Sequence, residues 1–455
     1  MDTTTDTMHL TRLPLTPARL AMHGTLAPSL HTRRFGFALV VLSLAAIAWL
    51  TLQPADTAAA PIDSHLCVVC GELAGVDILL NTLLFVPLGV GLNVSGLSLR
   101  KAVLICFALS LSIETTQAFI VRGRDATLGD ILTNTFGGAI GFWSARTAPR
   151  WLAPSRTRAA WLAAIWGAIW LLIQIVSSYS FSPSLPPPPY YGETAFQRGE
   201  LAMFHGQVAS ARIGTIPIPN GWFADSRSIR QLLLNGAPIV AVVHLAEPTP
   251  NFASIIFVAD EKERGIAEIA EQGDQLIFSI RTSAWNLRLR QPAFGMPGVF
   301  VGARRPADSA AETLVISARF NDGTVQLVAQ TRSVHRERNL SPRAALAWTV
   351  VLPFQWYLES GGMERVATFL WTSVLIIPMG YWAATLARQL ERVAAFSLVG
   401  VLATLLATGL ILVPAAFALR GATPLDWIAA VSGVGIGAAL TLVFNGNKDK
   451  NPANV

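Results

Sequence analysis

Long apolar runs alternate with short polar breaks over most of the chain, and one block breaks that rhythm. The apolar runs fall at about 35–52, 75–93, 101–120, 129–147, 159–178, 365–386, 393–417 and 426–444. Wound as helices, runs of this length match the thickness of a hydrocarbon core. Arginines 12, 19, 33 and 34 precede the first run. Arg100 and Lys101, then Arg146, Arg150, Arg156 and Arg158, then Arg388 and Arg392 fill alternate breaks, and Lys448 and Lys450 follow the last run. Positive charge marks the cytoplasmic side, so this spacing predicts eight spans with both termini inside. Residues 1–34 and 446–455 are then cytoplasmic tails. The run after Arg33 and Arg34, ending in DTAAA, has the look of a signal peptide. Its length and the long segment before it favour an uncleaved first helix.

Between 179 and 345 the pattern changes period. FSPSLPPPPYYG at 181–192 predicts a stiff, extended linker over 179–193 that lifts a domain off the membrane. Short β-rich runs follow over 194–345: IVAVVHLAE, NFASIIFVAD, DQLIFSIRT, NLRLRQPAF, TLVISARF and TVQLVAQTR. Asn321-Asp322-Gly323 between the last two is a hairpin turn signal. Strands at this spacing predict an antiparallel sandwich outside the membrane, loosely resembling concanavalin-like or laminin-G-like jelly rolls.

The helices after this block echo those before it. TSVLIIPMG (372–380) aligns with NTLLFVPLG (81–89), and ALRGATPLDWIAAVSGVGIG aligns with IVRGRDATLGDILTNTFGGAIG after a two-residue gap. Pro87 matches Pro378, Gly89 matches Gly380, Arg122 matches Arg420 and Asp130 matches Asp426; Gly137 and Gly141 match Gly433 and Gly437. The fold class predicted is therefore a mainly α-helical polytopic membrane protein of about eight transmembrane helices, in two parallel four-helix repeats, with an inserted all-β sandwich. Residues 35–147 form the first unit, 148–178 a cytoplasmic loop and fifth helix, and 346–445 a degenerate second set of helices.

Composition agrees. Of 455 residues, 52% are hydrophobic and 14% charged, far below the charge of a soluble protein. The net charge of +6 belongs to the loops, so it signals topology and not nucleic acid. Three cysteines support no disulfide framework or zinc cluster. Cys67 and Cys70 lie in an outer loop, where a local disulfide is expected. Cys106 reads as packing, and His244 and His335 are isolated.

Polar residues in the first unit carry the candidate chemistry. Asp77, Asn81, Glu114, Gln117, Asp130 and Asn134 sit in or at the ends of apolar runs, an expensive placement in hydrocarbon. Asp77 and Asn81 share a helix face, as do Asp130 and Asn134, and Glu114 and Gln117. Glu114 lies about 9 Å below the outer end of its helix, and Asn81 enters to a similar depth. Three helices therefore bring polar groups to one level under the outer headgroups, where Arg122 and Arg124 can close over them. Asn81, Gln117 and Asn134 equally suit interhelical hydrogen bonds that only fix packing. Asp130, at a helix N-terminus, suits a structural role. Glu114 needs a partner, expected to be Arg124, and is the candidate acid or base. In the second set Asn81 becomes Thr372, Glu114 becomes Leu412, Gln117 becomes Ala415 and Asn134 becomes Ala430. The first set thus carries the site and the second braces it.

The pattern N-x(5)-P-x-G, then E-x-x-Q, then a loop Gly-Arg before D-x-x-x-N-x-x-G resembles the VanZ-like membrane family. Here it is Asn81, Pro87, Gly89, Glu114, Gln117, Gly123, Arg124, Asp130, Asn134 and Gly137, preceded by TLQP at 51–54. The resemblance covers about 36–147, with an echo at 364–444, and omits the β-block. It implies the bacterial cell envelope and, through the family's namesake, a link to teicoplanin resistance.

Three functions follow as expectations. The first is an inner-membrane protein whose outer-leaflet pocket binds a lipid or lipid-linked envelope precursor, with Arg122 and Arg124 on its phosphate and the β-module on glycan or protein outside. The second is an enzyme on that lipid using Glu114. The third is a transporter with its site between the repeats. No nucleophile motif, metal-ligand cluster or cofactor motif is present in the sequence.

Overall fold

The computed structural model describes residues 30–53, 67–121, 126–197, 202–300 and 313–445. Most of both expected tails lies outside these residues, as do Arg122 and Arg124. Five helices open the chain: α1 (Leu30–Thr51), α2 (Ala74–Val94), α3 (Leu99–Phe119), α4 (Leu128–Leu152) and α5 (Arg156–Phe181). Their breaks follow local chemistry. Gly96, with φ +89°, turns the chain out of α2. Thr127 caps α4 by accepting the Asp130 amide on its side chain. After the β-block come α7 (Gly362–Ala387), α8 (Arg392–Ala407), a π turn (Thr408–Leu412), α9 (Val413–Ala416) and α10 (Pro424–Asn445).

Seven helical stretches among the described residues are long and apolar enough to cross a membrane. The eighth predicted span, α4, has 25 residues, which is length enough, but its Gly129, Asp130, Asn134 and Arg146 make it too polar to qualify. It packs along α2 on one side and α3 on the other, burying Asn134 while Leu132, Phe136 and Trp143 stay exposed. α1 packs on α2, and Ile47, Phe85, Leu88, Cys106, Ile113 and Phe142 form one buried cluster among the four helices.

The α2–α4 contact recurs in α7–α10. A Cβ on Gly137 would strike the Thr82 carbonyl, and one on Gly433 would strike Ser373, the residue aligned with Thr82. Gly141 meets Val86 as Gly437 meets Ile377; Gly89 meets Gly138 as Gly380 meets Val434. All three backbone approaches occur in both repeats, so the helix pair is duplicated in space as well as in sequence. α5 stands against α7 as α1 stands against α2. The π turn after α8 departs from the plan: it leans on α5, with Gly409 against Trp170 and Gln174.

The β-block is a sandwich of two sheets. One orders β13-β9-β8-β7-β6-β1-β4: β1 is Tyr190–Thr194, β4 Gly221–Trp222, β6 Ala253–Asp260, β7 Gly265–Gln272, β8 Gln275–Ile280, β9 Ala293–Met296 and β13 Tyr357–Leu358. The other orders β12-β11-β10-β5-β2-β3: β2 is Gln207–Ile213, β3 Ile216–Pro217, β5 Ile239–His244, β10 Thr313–Asn321, β11 Thr324–Gln330 and β12 His335–Leu340. Alternate residues of both sheets, such as Val258, Ile269, Phe278, Ile316 and Leu327, fill the core between them. Asp322 and Gly323 take positive φ in the β10–β11 turn, as the Asn-Asp-Gly signal requires. The strands pair antiparallel except β13 with β9. A short helix, α6 (Ser226–Leu234), buries Ile229 and Leu233 on the core.

Three boundaries need correction. The Pro-rich segment is no spacer: Leu185 and Tyr190 are buried, and Arg230 holds the Leu185 and Pro186 carbonyls. β1 begins inside it. The sandwich also continues past residue 345, through β13. Finally, NLRLRQPAF is strand only from Ala293, because Arg288 adopts φ +52° after a 3-10 turn.

That turn is a docking device. The Gly75 amide, at the start of α2, donates to the Arg288 carbonyl at 3.0 Å, and Arg288 donates to the Val69 carbonyl at 2.6 Å. On the other side Arg343 meets Asp426 of α10 at 2.8 Å, and Trp348 Nε1 donates to Thr368 of α7 at 3.1 Å. Between these anchors the 3-10 helix Ala344–Val351 is buried among α2, α5 and α7. The 3-10 segment at the end of the sandwich is thus wedged between the two helix sets.

Candidate functional site

The polar residues of the first unit converge. α2, α3 and α4 meet at the sandwich-facing end of the α2–α4 pair, and their side chains form a hydrogen-bonded ladder. Glu114 Oε2 accepts the Thr127 backbone amide at 2.9 Å, and Thr127 Oγ1 accepts the Asp130 amide at 3.1 Å. Asn81 Nδ2 donates to Asp130 Oδ1 at 2.5 Å. Asn134 Nδ2 donates to Ser110 Oγ at 3.0 Å, and Ser110 Oγ reaches the Asp130 carbonyl at 3.5 Å. Gln117 Nε2 donates to the Thr51 carbonyl at 2.8 Å, tying α3 to the end of α1.

Burial makes these bonds consequential. Glu114 is 5% exposed, Asn134 3% and Ser110 0%. A carboxylate so placed is favoured at the N-terminus of α4, where amides point outward with positive partial charge. Glu114 therefore has a structural partner, Thr127; Arg124, the partner expected from the sequence, lies outside the described residues. One atom is left over: Asn134 Oδ1 is buried with no partner among the described residues. A buried amide oxygen without a donor costs about 1–3 kcal/mol, which makes it a natural point of attachment for a donor.

Asp77 stands one turn further out than Asn81. It is exposed, and its charge acts on Arg290 of the sandwich. Burial holds the Arg290 guanidinium below its usual range while Asp77 pulls it back up. Arg290 also donates to the Leu352 and Pro353 carbonyls. Cys67 and Cys70 are joined by a disulfide, and their loop lies over the start of α4, where the Gly129 amide donates to the Cys67 carbonyl at 3.2 Å.

Sequence reasoning does not find two members of the ladder. Thr127 stands three before Asp130 in a capping pattern, which is a readable signal, while Ser110, one turn before Glu114 on the same face, carries little signal of its own. No group of three or more His, Cys, Asp or Glu capable of holding a metal occurs among the described residues.

A family model described as VanZ/LLP1 matches residues 22–149, which span α1 to α4 and the whole ladder. No curated protein and no solved structure matches the chain. The match leaves the sandwich and the second helix set outside it. The chain is a multi-pass membrane protein that carries a VanZ-like domain in residues 22–149.

Proposed function

We propose that the VanZ-like domain is a site in the bacterial inner membrane for a lipid or lipid-linked envelope precursor, entered from the outer leaflet. The observation that carries this reading is the convergence of Asn81, Ser110, Glu114, Asp130 and Asn134 at one level, with Asn134 Oδ1 unpartnered among the described residues. Polar groups held together inside a span mark a functional site by default. In this reading both termini are cytoplasmic and the sandwich stands outside. Arg122 and Arg124, between α3 and α4, take the phosphate. An effect on teicoplanin susceptibility would follow from occupying or displacing such a precursor. Catalysis by Glu114 is the lesser reading, because that carboxylate already holds the first turn of α4. Transport between the helix sets is disfavoured by the buried 344–351 wedge.

Native mass spectrometry of the detergent-released protein tests the proposal, comparing wild type with Arg124→Ala and Glu114→Gln. A phospholipid or polyprenyl phosphate retained by wild type and lost in Arg124→Ala supports it. A ligand-free spectrum for all three proteins overturns it. Normal lipid retention in a Glu114→Gln variant that no longer turns the lipid over would move the reading to the enzyme.

A further inference from the structure

Helix α5 carries a buried polar stripe that the ladder of the first unit does not use. Trp170, Gln174 and Ser178 follow one another at four-residue spacing, so they share one face. They are 1%, 4% and 0% exposed, while Ile169, Leu172, Ile175 and Val176 on the rest of the helix are open. Trp170 Nε1, Gln174 Oε1 and Ser178 Oγ all lack a hydrogen-bond partner among the described residues. No other helix leaves more than one such atom among those residues. Ser178 shows that this is not ordinary helix chemistry. Hydroxyls in membrane helices usually fold back on a carbonyl of the preceding turn. Ser180 does so on Ser177 and Ser182 on Ser178, but the Ser178 hydroxyl makes no such bond.

The surface packed against the stripe is irregular at the same level. Gly409, buried in the π turn after α8, lies against the Trp170 ring and the Gln174 side chain. The Val413 amide reaches back five residues to the Thr408 carbonyl, and Pro414 has no amide to give. The Gly409 carbonyl therefore receives neither the α-type nor the π-type donor that a continuous helix would send it. Two elements thus leave polar groups unsatisfied at the place where they touch, and bare burial of such groups is costly.

We propose that α5 and the π turn enclose a short file of ordered water. The indole N–H only donates and the amide oxygen only accepts, so the occupant must do both. A cation would face the Trp170 N–H and an anion the Gln174 oxygen, and the buried face of α5 has no charged side chain to balance either. Side chains this enclosed leave no room for a lipid headgroup. Successive members of the stripe stand about 6 Å apart along the axis, too far for a direct hydrogen bond and right for a bridging water. Each water would have two or more polar partners, as internal water requires. The file spans about 12 Å, from the middle of α5 to Ser178 near the end that meets the sandwich. It gives the second helix set a polar interior of its own, and it supplies the donor that lets the π turn persist. The site is independent of the membrane ladder and stands or falls separately.

X-ray radiolytic footprinting of the full-length protein in lipid nanodiscs tests this, because hydroxyl radicals form from bound water and oxidise the side chains beside it. The probe is water itself, with heavy-oxygen water mixed in just before exposure. After correction for intrinsic reactivity, Trp170 should be oxidised several-fold more than Phe85 and Phe142, which are equally buried in the apolar cluster of the first unit. It should also take up the heavy label more slowly than the exposed Trp222. Gln174→Leu combined with Ser178→Ala should bring Trp170 oxidation down to the level of the two phenylalanines and lower the melting temperature. A dry seam predicts the opposite shift in melting, since the same substitutions would then delete stranded polar atoms. Ser112→Ala, whose hydroxyl is satisfied on its own helix, should change neither reading. Trp170 oxidation no greater than at the phenylalanines, label uptake as fast as at Trp222, or a melting temperature unchanged or raised by the paired substitution overturns the proposal. If the paired variant does not fold, the wild-type footprint decides alone.

Discussion

The two helix sets share a backbone plan and differ in who supplies the polar partner. In both, three glycine contacts bring the second and fourth helices to near-touching backbones, at Gly137, Gly141 and Gly89 in one set and at Gly433, Gly437 and Gly380 in the other. Small residues at such crossings are what helix association in a bilayer demands. In both, an aspartate stands in the first turn of the fourth helix. Asp130 accepts from Asn81 of its own unit. The equivalent of Asn81 is Thr372, too short to reach, and Asp426 turns to Arg343 of the sandwich with one oxygen while Thr423 caps the same atom. Its other oxygen and the Thr372 hydroxyl are both buried without partners among the described residues. The two sets thus share the packing and differ in the charge: one turns its aspartate to Asn81 within its own unit, the other uses it to hold the sandwich through Arg343.

The largest expected effect comes from breaking that second use. Arg343→Ala strands the fully buried Asp426, which should cost about 3–5 kcal/mol. Pairing it with Asp426→Asn should recover much of the loss, because no charge is then left unpaired. Chemical denaturation of the single and double variants measures both, and equal losses would show that Asp426 is not held by its charge. Next is the shared packing. Gly137→Ala and Gly433→Ala each drive a methyl into a carbonyl and should each cost up to about 3 kcal/mol. Thermal melting should rank Gly137 the worse of the two, since its approach is the closer; a neutral Gly433 would mean that only the first crossing is tight.

Much of this was legible in sequence, and what was not has physical causes. Asn81, Glu114 and Asp130 stood out because ionisable and amide groups are rare in apolar runs. Ser110 did not, because a serine in a membrane helix satisfies itself on its own backbone so often that it carries little signal. The glycine register was readable from the aligned repeats. Arg290 and Arg343 were not, since their partners Asp77 and Asp426 are distant in the chain and only the folded sandwich brings them near. Strand β7, GIAEIAEQ, was overlooked because alanine and glutamate favour helix locally, and pairing on both sides overrides that preference. The alternation in NLRLRQ misled in the opposite direction: its backbone turns at Arg288 to dock on α2.

Within the first unit, Glu114 offers a smaller and more discriminating test. Glu114→Ala removes the acceptor of the Thr127 amide and should cost about 1–3 kcal/mol. Glu114→Gln keeps an acceptor oxygen and loses only the attraction of the α4 terminus, about 0.3–1 kcal/mol. A Gln variant that melts like Ala would show that charge, and not the hydrogen bond, holds the turn.

The smallest effect cuts deepest into the comparison. Thr372→Asn places the amide of the first unit at the equivalent point of the second, on the helix that faces the unpartnered oxygen of Asp426. If the two helix pairs are true counterparts, the introduced side-chain amide should donate to Asp426 Oδ1 as Asn81 Nδ2 does to Asp130, and stability should rise by about 1 kcal/mol. The gain must vanish in Asp426→Ala, which removes the acceptor. A loss of stability on adding the amide would mean that the second pair has closed the space that the first holds open, and that the equivalence ends at the backbone.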